Sequence, residues 1–443
     1  SGYSKEFYSA SEELRKQYKN DEEAKQIIDI ALGLEGLRRQ DGIHAAAIVI
    51  SPDTITKFLP IQQKGSNAEI VTQYEMHTVE QLGLLKMDFL GLRNLSIVDR
   101  TLELIGSESL DIDNLKLDDE KTFKLFAEGK MTGVFQLESR VAQSTSRSLK
   151  PKRFEDIVAL VALIRPGPLG AGMHNEFADR ANNRKEIEYL HNDLESILNE
   201  TYGVILYQEQ VMQIAEKIAG FNLQEADNLR VAMGKKIPKV MEEQRKKFTD
   251  GAVSNNYSEQ FAIELFDQIA YFAGYGFNKS HSVPYALLAY QTAYLKANYP
   301  AEYIAACLTA VKRDKDRTAI FLSEARDMGV KVSTPDINLS SSDFTVNDNE
   351  ILFGLSAVRN VGDITADKIV LERESNGHFE SIEDFLSRID SRSLNKRGVE
   401  ALIQGGGLAK FGRTRKGMFD STIELIENAK VLKAKKENNQ GSL

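Results

Sequence analysis

The chain has 443 residues, 27% of them charged and 42% hydrophobic, with a formal net charge of −9 and one cysteine, Cys307. That length predicts two or three domains, each able to bury a core. A single cysteine excludes an internal disulfide and favours a reducing cytoplasm, while no apolar run is long enough to span a bilayer and no signal peptide is visible.

Ser9–Leu37 has helical spacing with acidic starts and basic ends, and reads as two helices. From His44 the texture changes. Ala45–Ile50 is a short apolar run ended by Ser51-Pro52-Asp53, the pattern of a buried strand and turn. Ile70–Tyr74 and Leu84–Phe89 are further strand candidates. The last of these embeds Lys86 and Asp88 in an apolar run, two residues apart and so on one face of a strand. Charges there need each other or a task. An acid for Mg²⁺ and an ammonium for a phosphate would suit metal-assisted phosphoryl chemistry, although that chemistry wants further carboxylates.

Helical periodicity dominates from Arg93 to about Met328. ALVALIRPGPL sets Arg165 at a rigid corner after a buried helix. LRVAMGKKIPKVM places Arg230, Lys235 and Lys236 at a helix end; a solvated basic face and a ligand surface both fit, but the GxxxxGK[ST] phosphate loop is absent. In YGFNKSHSVPYALLAYQTAYLKANYP, Ser282 is a candidate N-cap with Pro284 in the first turn. Tyr285, Leu288, Thr292 and Leu295 line one face, and Pro300 marks the far end. Lys279 and His281 then lie beside the helix's positive end, either as an anion site or as a simple cap. Asp111-Ile112-Asp113 reads as a solvated turn, and no zinc-ligand spacing exists.

Lys331–Phe353 is looser, with short strand-like runs. LSAVRNVGDITADKI resembles a helix–hairpin–helix, whose hairpin N–H groups clasp DNA phosphates without reading bases; an ordinary αα-hairpin is the other reading. Asn360-Val361-Gly362 stands at the turn, where asparagine tolerates positive φ. Leu394–Leu408 looks like a second copy, loosened by Gly405-Gly406-Gly407. Lys410, Arg413, Arg415 and Lys416 form a basic run without acids, and the tail from Ile426 is a charged helix. The elements predict an α+β chain, mostly α.

LEGLRRQDGIHAAAIVIS, IVTQYEM, LLKMDFLGLRNL, TGVFQLES, TYGVILYQEQVMQI and FAGYGFNKSHS occur in the order seen in the C-family bacterial replicative polymerases, and the resemblance runs nearly end to end. It implies a partial palm of the polymerase-β-like nucleotidyltransferase type, large helical fingers and a tandem helix–hairpin–helix subdomain. By that resemblance, 1–43 is the end of the thumb, 44–93 the second part of the palm, 94–350 the fingers, 351–425 the tandem helix–hairpin–helix and 426–443 a charged tail. The family reaction is DNA-directed DNA synthesis with Mg²⁺, using dNTPs and primer–template DNA.

The resemblance assigns Asp88 to the third catalytic, metal-binding carboxylate and Lys86 to the triphosphate. His281 matches the position that screens the sugar 2′-hydroxyl, and Arg230, Lys235, Lys236 and Lys279 approach the nucleotide. Arg165, Asn360, Val361, Gly362, Arg397, Arg413, Arg415 and Lys416 fall in segments that meet DNA. Gln440–Leu443 resembles the start of a sliding-clamp motif, and other replicase subunits are implied partners. The family's first two palm carboxylates would precede Ser1, so this chain alone is expected to bind duplex weakly and not to extend primers. A translesion paralogue of the same family and a non-catalytic DNA-binding fragment are the alternative readings.

Overall fold

The computed structural model describes residues 12–37, 41–63, 65, 68–106, 110–235, 238–273, 276–390 and 392–440. The chain divides into two compact units, Ser1–Gly91 and Leu92–Leu443.

In the first unit, α1 (Glu12–Asn20) and α2 (Glu22–Leu34) are the helix pair that the spacing predicts. Asp21 separates them and caps α2, accepting the Glu23 and Ala24 N–H groups at 3.0 and 3.2 Å. Then come β1 (Ala47–Ile50), β2 (Ile61–Gln63), β3 (Ile70–Thr72), α3 (Met76–Gln81) and β4 (Leu85–Asp88). β1 pairs antiparallel with β4, and β2 with β3. Leu59, Val79 and Leu84 make the small core, with Val49, Ile55 and Ile61 packed on it.

The strand expected within Ala45–Ile50 therefore forms, but it is not buried. Ile48 and Ile50 are 55% and 43% exposed, and they stand opposite Met87 and Leu85 on β4. A two-stranded sheet has two faces, and only the face bearing Val49 meets the core.

The second unit is mostly helical. Its helices are α4 (Arg93–Ile105), α5 (Glu120–Glu128), α6 (Arg140–Leu149), α7 (Phe154–Leu163), α8 (Pro166–Gly170), α9 (Met173–Ala181), α10 (Glu195–Leu198), α11 (Gln208–Ala219), α12 (Leu223–Lys235), α13 (Pro238–Ser254), α14 (Glu259–Ala273), α15 (Lys279–Asn298), α16 (Pro300–Val311) and α17 (Lys315–Asp327). Three short strands follow, β5 (Lys331–Val332), β6 (Thr345–Asn347) and β7 (Glu350–Leu352), ordered β5–β7–β6. The chain continues through α18 (Asp363–Asn376), α19 (Ile382–Arg388), α20 (Lys396–Gly405), α21 (Arg415–Asp420) and α22 (Thr422–Gln440). No helix among the described residues is long and apolar enough to cross a membrane.

Three cores organise this unit. The first surrounds α7, whose residues Asp156–Leu163 are all buried, and which packs on α15. A helix apolar all round belongs inside. The second joins α4, α16 and α17 to the small sheet, and the third lies among α18–α22.

The start of α15 differs from expectation. Asn278, not Ser282, is the N-cap, accepting the His281 N–H at 2.9 Å. Ser282 is buried, and its hydroxyl donates to the Val158 carbonyl at 2.7 Å. Pro284 consequently lies inside the helix rather than in its first turn. The chain is committed early because Phe277 bridges to Tyr207 as a single parallel β-bridge, so the N-cap falls one residue past that anchor and the helix two. The far end is as expected: α15 stops at Asn298 and Pro300 opens α16.

Lys312, just past α16, ties the second core to the third. Its ammonium meets Asp343 at 2.6 Å, Ser356 Oγ at 2.9 Å, and Asp363 at the start of α18. Hydrogen bonds from Lys312 and Arg313 hold the Asp363 carboxyl at about 2, below its ordinary 3.8. A folded-state pKa below the unfolded one stabilises the fold above the unfolded value, and that contribution is lost as pH falls from there through the folded one. Asp363 is 37% exposed, so solvent screening leaves the effect at about 1 kcal/mol. Asp363→Asn should therefore flatten the acid loss of stability, read as urea midpoints at about pH 5 and about pH 3.

Candidate nucleotide and nucleic-acid interface

β4 puts Lys86 and Asp88 on one face, as period-two spacing requires. Their side chains pair at 2.9 Å, with a second approach of 3.1 Å to the other carboxylate oxygen. The neighbours Leu85 and Met87 are the exposed residues, at 54% and 40%, whereas the Lys86 side chain is 18% exposed and that of Asp88 38%. Lys86 is thus half-buried, while Asp88 stays open to solvent. Lys86 borders a cavity of about 910 Å³ within this unit, whose walls include His44, Val49, Gln62, Val71 and Tyr74.

In the second unit, the Phe277–His281 turn gathers several of the expected residues. Arg165, the N-cap residue of α8, lays its guanidinium 3.6 Å from the centroid of the Phe277 ring. Phe277 meets the His281 ring edge-on at 5.5 Å, and His281 lies 4.4 Å from Tyr285 at 32°. The exposed His281 ring thus sits in an aromatic row ending in a cation. The Lys279 ammonium pairs with Glu200 at 2.7 Å. Arg153 Nη2–H donates to the Glu200 carbonyl at 2.7 Å, so this acid is itself positioned. Arg153, Glu200 and Lys279 border a depression of about 610 Å³.

The positive start of α15 is already satisfied from within the protein. The Lys279 N–H donates to both Glu209 carboxylate oxygens at 2.9 Å, and the Ser280 N–H to one of them at 3.3 Å. With the Asn278 cap, the first turn has acceptors for its N–H groups. What this turn offers an external anion is the Lys279 ammonium, shared with Glu200. Glu209→Ala should cost about 1 kcal/mol through loss of this cap, measurable by urea unfolding, with Glu209→Gln costing less because one acceptor remains.

Glu209 and Glu200 were not among the residues singled out from sequence. The one available signal was the string Tyr207-Gln208-Glu209-Gln210, in which the three side chains after Tyr207 each have a structural partner. Gln208 Nε2–H donates to the Gly276 carbonyl at 3.1 Å, and Gln210 Oε1 accepts the Leu206 and Tyr207 N–H groups at 2.8 and 2.9 Å.

The remaining expected residues are spread out. Arg230 lies within α12, paired with Asp227 at 2.8 Å. Lys235 ends that helix, and Lys236 lies outside the described residues. In the third core Asn360 adopts φ 62°, the left-handed conformation foreseen for the hairpin turn. Val361 is buried, and Gly362 is the N-cap of α18 with open space beside it. Gly406 does not loosen the second hairpin copy; at φ 91° it closes α20 as a left-handed C-cap. Arg413 pairs with Glu383 at 2.7 Å and Lys416 with Asp420 at 3.1 Å, while Arg415 Nη1–H donates to the Gln404 carbonyl at 3.4 Å. Arg397 is exposed in the first turn of α20. Gln440 ends α22, and Gly441–Leu443 lie outside the described residues. Among the described residues no three His, Cys, Asp or Glu side chains gather as a metal site.

Comparison with known proteins places these segments in one family. Residues 2–91 match the bacterial DNA polymerase III alpha NTPase domain, residues 94–256 the bacterial DNA polymerase III alpha subunit finger domain, and residues 329–418 a helix–hairpin–helix motif. The DNA polymerase III subunit alpha of Thermus aquaticus is 46% identical over 406 residues, 90% of this chain and 33% of that protein. The Buchnera aphidicola subunit is 44% identical over 441 residues, 96% of this chain and 38% of its own length. That of Escherichia coli K12 is 43% identical over 435 residues, 95% and 38% respectively. The chain belongs to the bacterial DNA polymerase III alpha subunit family and spans 33–38% of the length of these relatives.

Proposed function

We propose that this chain is the thumb-to-fingers portion of a replicative DNA-directed DNA polymerase, a cytoplasmic enzyme working with a sliding clamp, through Gln440–Leu443, and other replicase subunits. The observation that carries this reading is the Lys86–Asp88 pair on β4, inside a segment matched to the polymerase family from residue 2 to residue 91. In the reaction the primer 3′-oxygen bonds to the α-phosphorus of a dNTP, and the bond from that phosphorus to the bridging oxygen breaks, releasing pyrophosphate. Residues 44–93 act as the second part of the palm, with 1–43 as the end of the thumb, 94–350 as fingers, 351–425 as the tandem helix–hairpin–helix and 426–443 as the tail.

Asp88 fits a divalent cation as one ligand among several. Its side chain is 38% exposed, and its only ionic partner among the described residues is Lys86. Mg²⁺ is commonly held by one or two carboxylates, with substrate phosphates and water completing the shell. When bound, the cation would stabilise charge developing on the transferred phosphoryl group. Lys86 supplies positive charge 2.9 Å from the carboxylate, where the triphosphate must approach. In the second unit, Lys279 and the α12 bases Arg230 and Lys235, with Lys236, take the nucleotide-binding role that the family resemblance gives those positions. His281, fixed between Phe277 and Tyr285, acts sterically on the sugar.

Arg165, the Asn360–Gly362 hairpin and Arg413, Arg415 and Lys416 meet the DNA backbone. The exposed pairs Arg413–Glu383 and Lys416–Asp420 are weak enough to yield to phosphates. Duplex binding by this chain should weaken steeply with salt, and the triple variant Arg413→Ala, Arg415→Ala, Lys416→Ala should lower the log–log salt slope by about 2–3. Fluorescence anisotropy over a salt series measures this. An unchanged slope in the folded triple variant contradicts the assignment.

A further inference from the structure

The third core borders a cavity to which the polymerase reading assigns no small-molecule ligand, although Asn360 and Arg397 in its lining also belong to segments that meet DNA in that reading. It measures about 870 Å³, with β5 and the Ser333–Pro335 segment contributing to one part of its wall and α20 to another. Val332, Phe353, Val358 and Phe419 give it apolar surface, and Asn360 and Gln404 give it amide groups. Three arginines line it: Arg326 from the end of α17, Arg359 just before the first hairpin, and Arg397 from α20.

Their charge is not neutralised. Among the described residues none of the three has an ion-pair partner. Arg326 makes only a long Nε–H bond to the Leu322 carbonyl one turn back, at 3.4 Å. Several cations elsewhere in the same region are paired: Arg388 with Glu372, Lys410 with Asp336, Arg413 with Glu383 and Lys331 with Glu350. Glu400 is the one carboxylate in the lining, and it faces Lys396 at 3.6 Å.

Unpaired guanidinium groups around one concavity focus a positive potential into it. A guanidinium is a planar fork of donors that matches phosphate oxygens and stacks on flat rings. The volume falls in the usual range for small-molecule sites, roughly 300–1,000 Å³, and apolar walls with a few polar groups are their usual lining. A DNA duplex carries its phosphates on a convex outer surface and keeps its bases stacked inside, so it fills such a recess poorly.

We propose that this cavity binds a phosphorylated small molecule with a planar apolar body, of the nucleoside phosphate class, at a site sharing no lining residue with the Phe277–His281 turn. Gly405 gives a direct handle. A Cβ there would meet Pro335 Cγ at 3.6 Å and Val358 Cγ1 at 4.0 Å, which is ordinary contact. Gly405→Leu therefore grows into the cavity without backbone strain. Arg359 and Arg397 are exposed, so their alanine variants should melt as the parent does.

The test is calorimetric titration of this chain with ADP and, separately, with inorganic tripolyphosphate. ADP is expected to bind saturably, and Arg359→Ala, Arg397→Ala and Gly405→Leu should each weaken it by about tenfold or more. Tripolyphosphate, lacking the planar body, should bind about tenfold more weakly than ADP. The proposed function also places a nucleotide near Lys279, so Lys279→Ala serves to separate the sites: any binding event it removes belongs to the fingers, and the Gly405→Leu-sensitive event should survive it. No ADP binding at millimolar concentration, binding insensitive to the three cavity variants, or equal affinity for tripolyphosphate would each overturn the proposal. The polymerase reading is untouched by any of these results.

Discussion

Asp88→Asn, placed in the complete polymerase subunit, is expected to lower primer extension by about 10²–10³-fold, while duplex binding stays within about twofold. The substitution keeps shape and removes charge. β4 is held to β1 by backbone hydrogen bonds, in the register Ala47↔Asp88 to Ile50↔Leu85, so the strand should survive it. Asp88 has one ionic partner among the described residues, Lys86, and the substituted amide can still accept a hydrogen bond from that ammonium. A large loss of rate with little loss of stability is therefore the signature of a carboxylate with a chemical task. Steady-state incorporation and thermal melting on the same preparation separate the two effects, and near-normal incorporation would remove Asp88 from the catalytic account.

The largest effect on stability is expected at Lys296. This lysine is fully buried in α15. Its ammonium pairs with Glu324 at 2.6 Å and donates to the Lys130 and Thr132 carbonyls at 2.7 and 2.8 Å. Burial pulls its pKa below the ordinary lysine value, against the opposing pull of Glu324. Lys296→Met fills much the same volume but leaves a sheltered carboxylate, 13% exposed, and two carbonyls without their donor. Breaking one side of such a pair costs about 3–5 kcal/mol. Adding Glu324→Leu removes the stranded charge and should recover part of that loss. Urea unfolding of the single and double variants checks both statements, and additive losses would contradict the buried pair as a coupled unit.

The contrast between these two sites follows what sequence can convey. Period-two spacing put Lys86 and Asp88 on one face of a strand, and β4 does this with four residues of local geometry. Asparagine at 360 suggested a left-handed turn, and φ 62° is what a hairpin there requires. The caps and breaks of α2 and the boundary at Pro300 are local as well. The misread features depend on distant residues. Ser282 has the composition of an N-cap, but the Val158 carbonyl, 124 positions away, takes its hydroxyl. Glu209 looks like an ordinary first-turn acid of α11, yet it caps a helix that begins 70 residues later. Ala45–Ile50 is apolar enough for a core strand, but a sheet of two strands gives it one sheltered face. Resemblance to a polymerase family supplied roles for these positions without indicating which carboxylates inside the fold would hold them.

The central claim is that Asp88 ligates a catalytic cation. It is tested most directly by Asp88→Cys in the complete subunit, assayed for single-nucleotide incorporation with Mg²⁺ and then with Mn²⁺ or Cd²⁺. A thiolate is a poor partner for Mg²⁺ and a better one for the softer ions. The account predicts a loss of about 10²-fold or more with Mg²⁺ and a recovery of about tenfold or more with the softer ion, absent from Asp88→Ala. Activity near that of the parent with Mg²⁺, or equal failure of the cysteine and alanine variants with every cation, would contradict it.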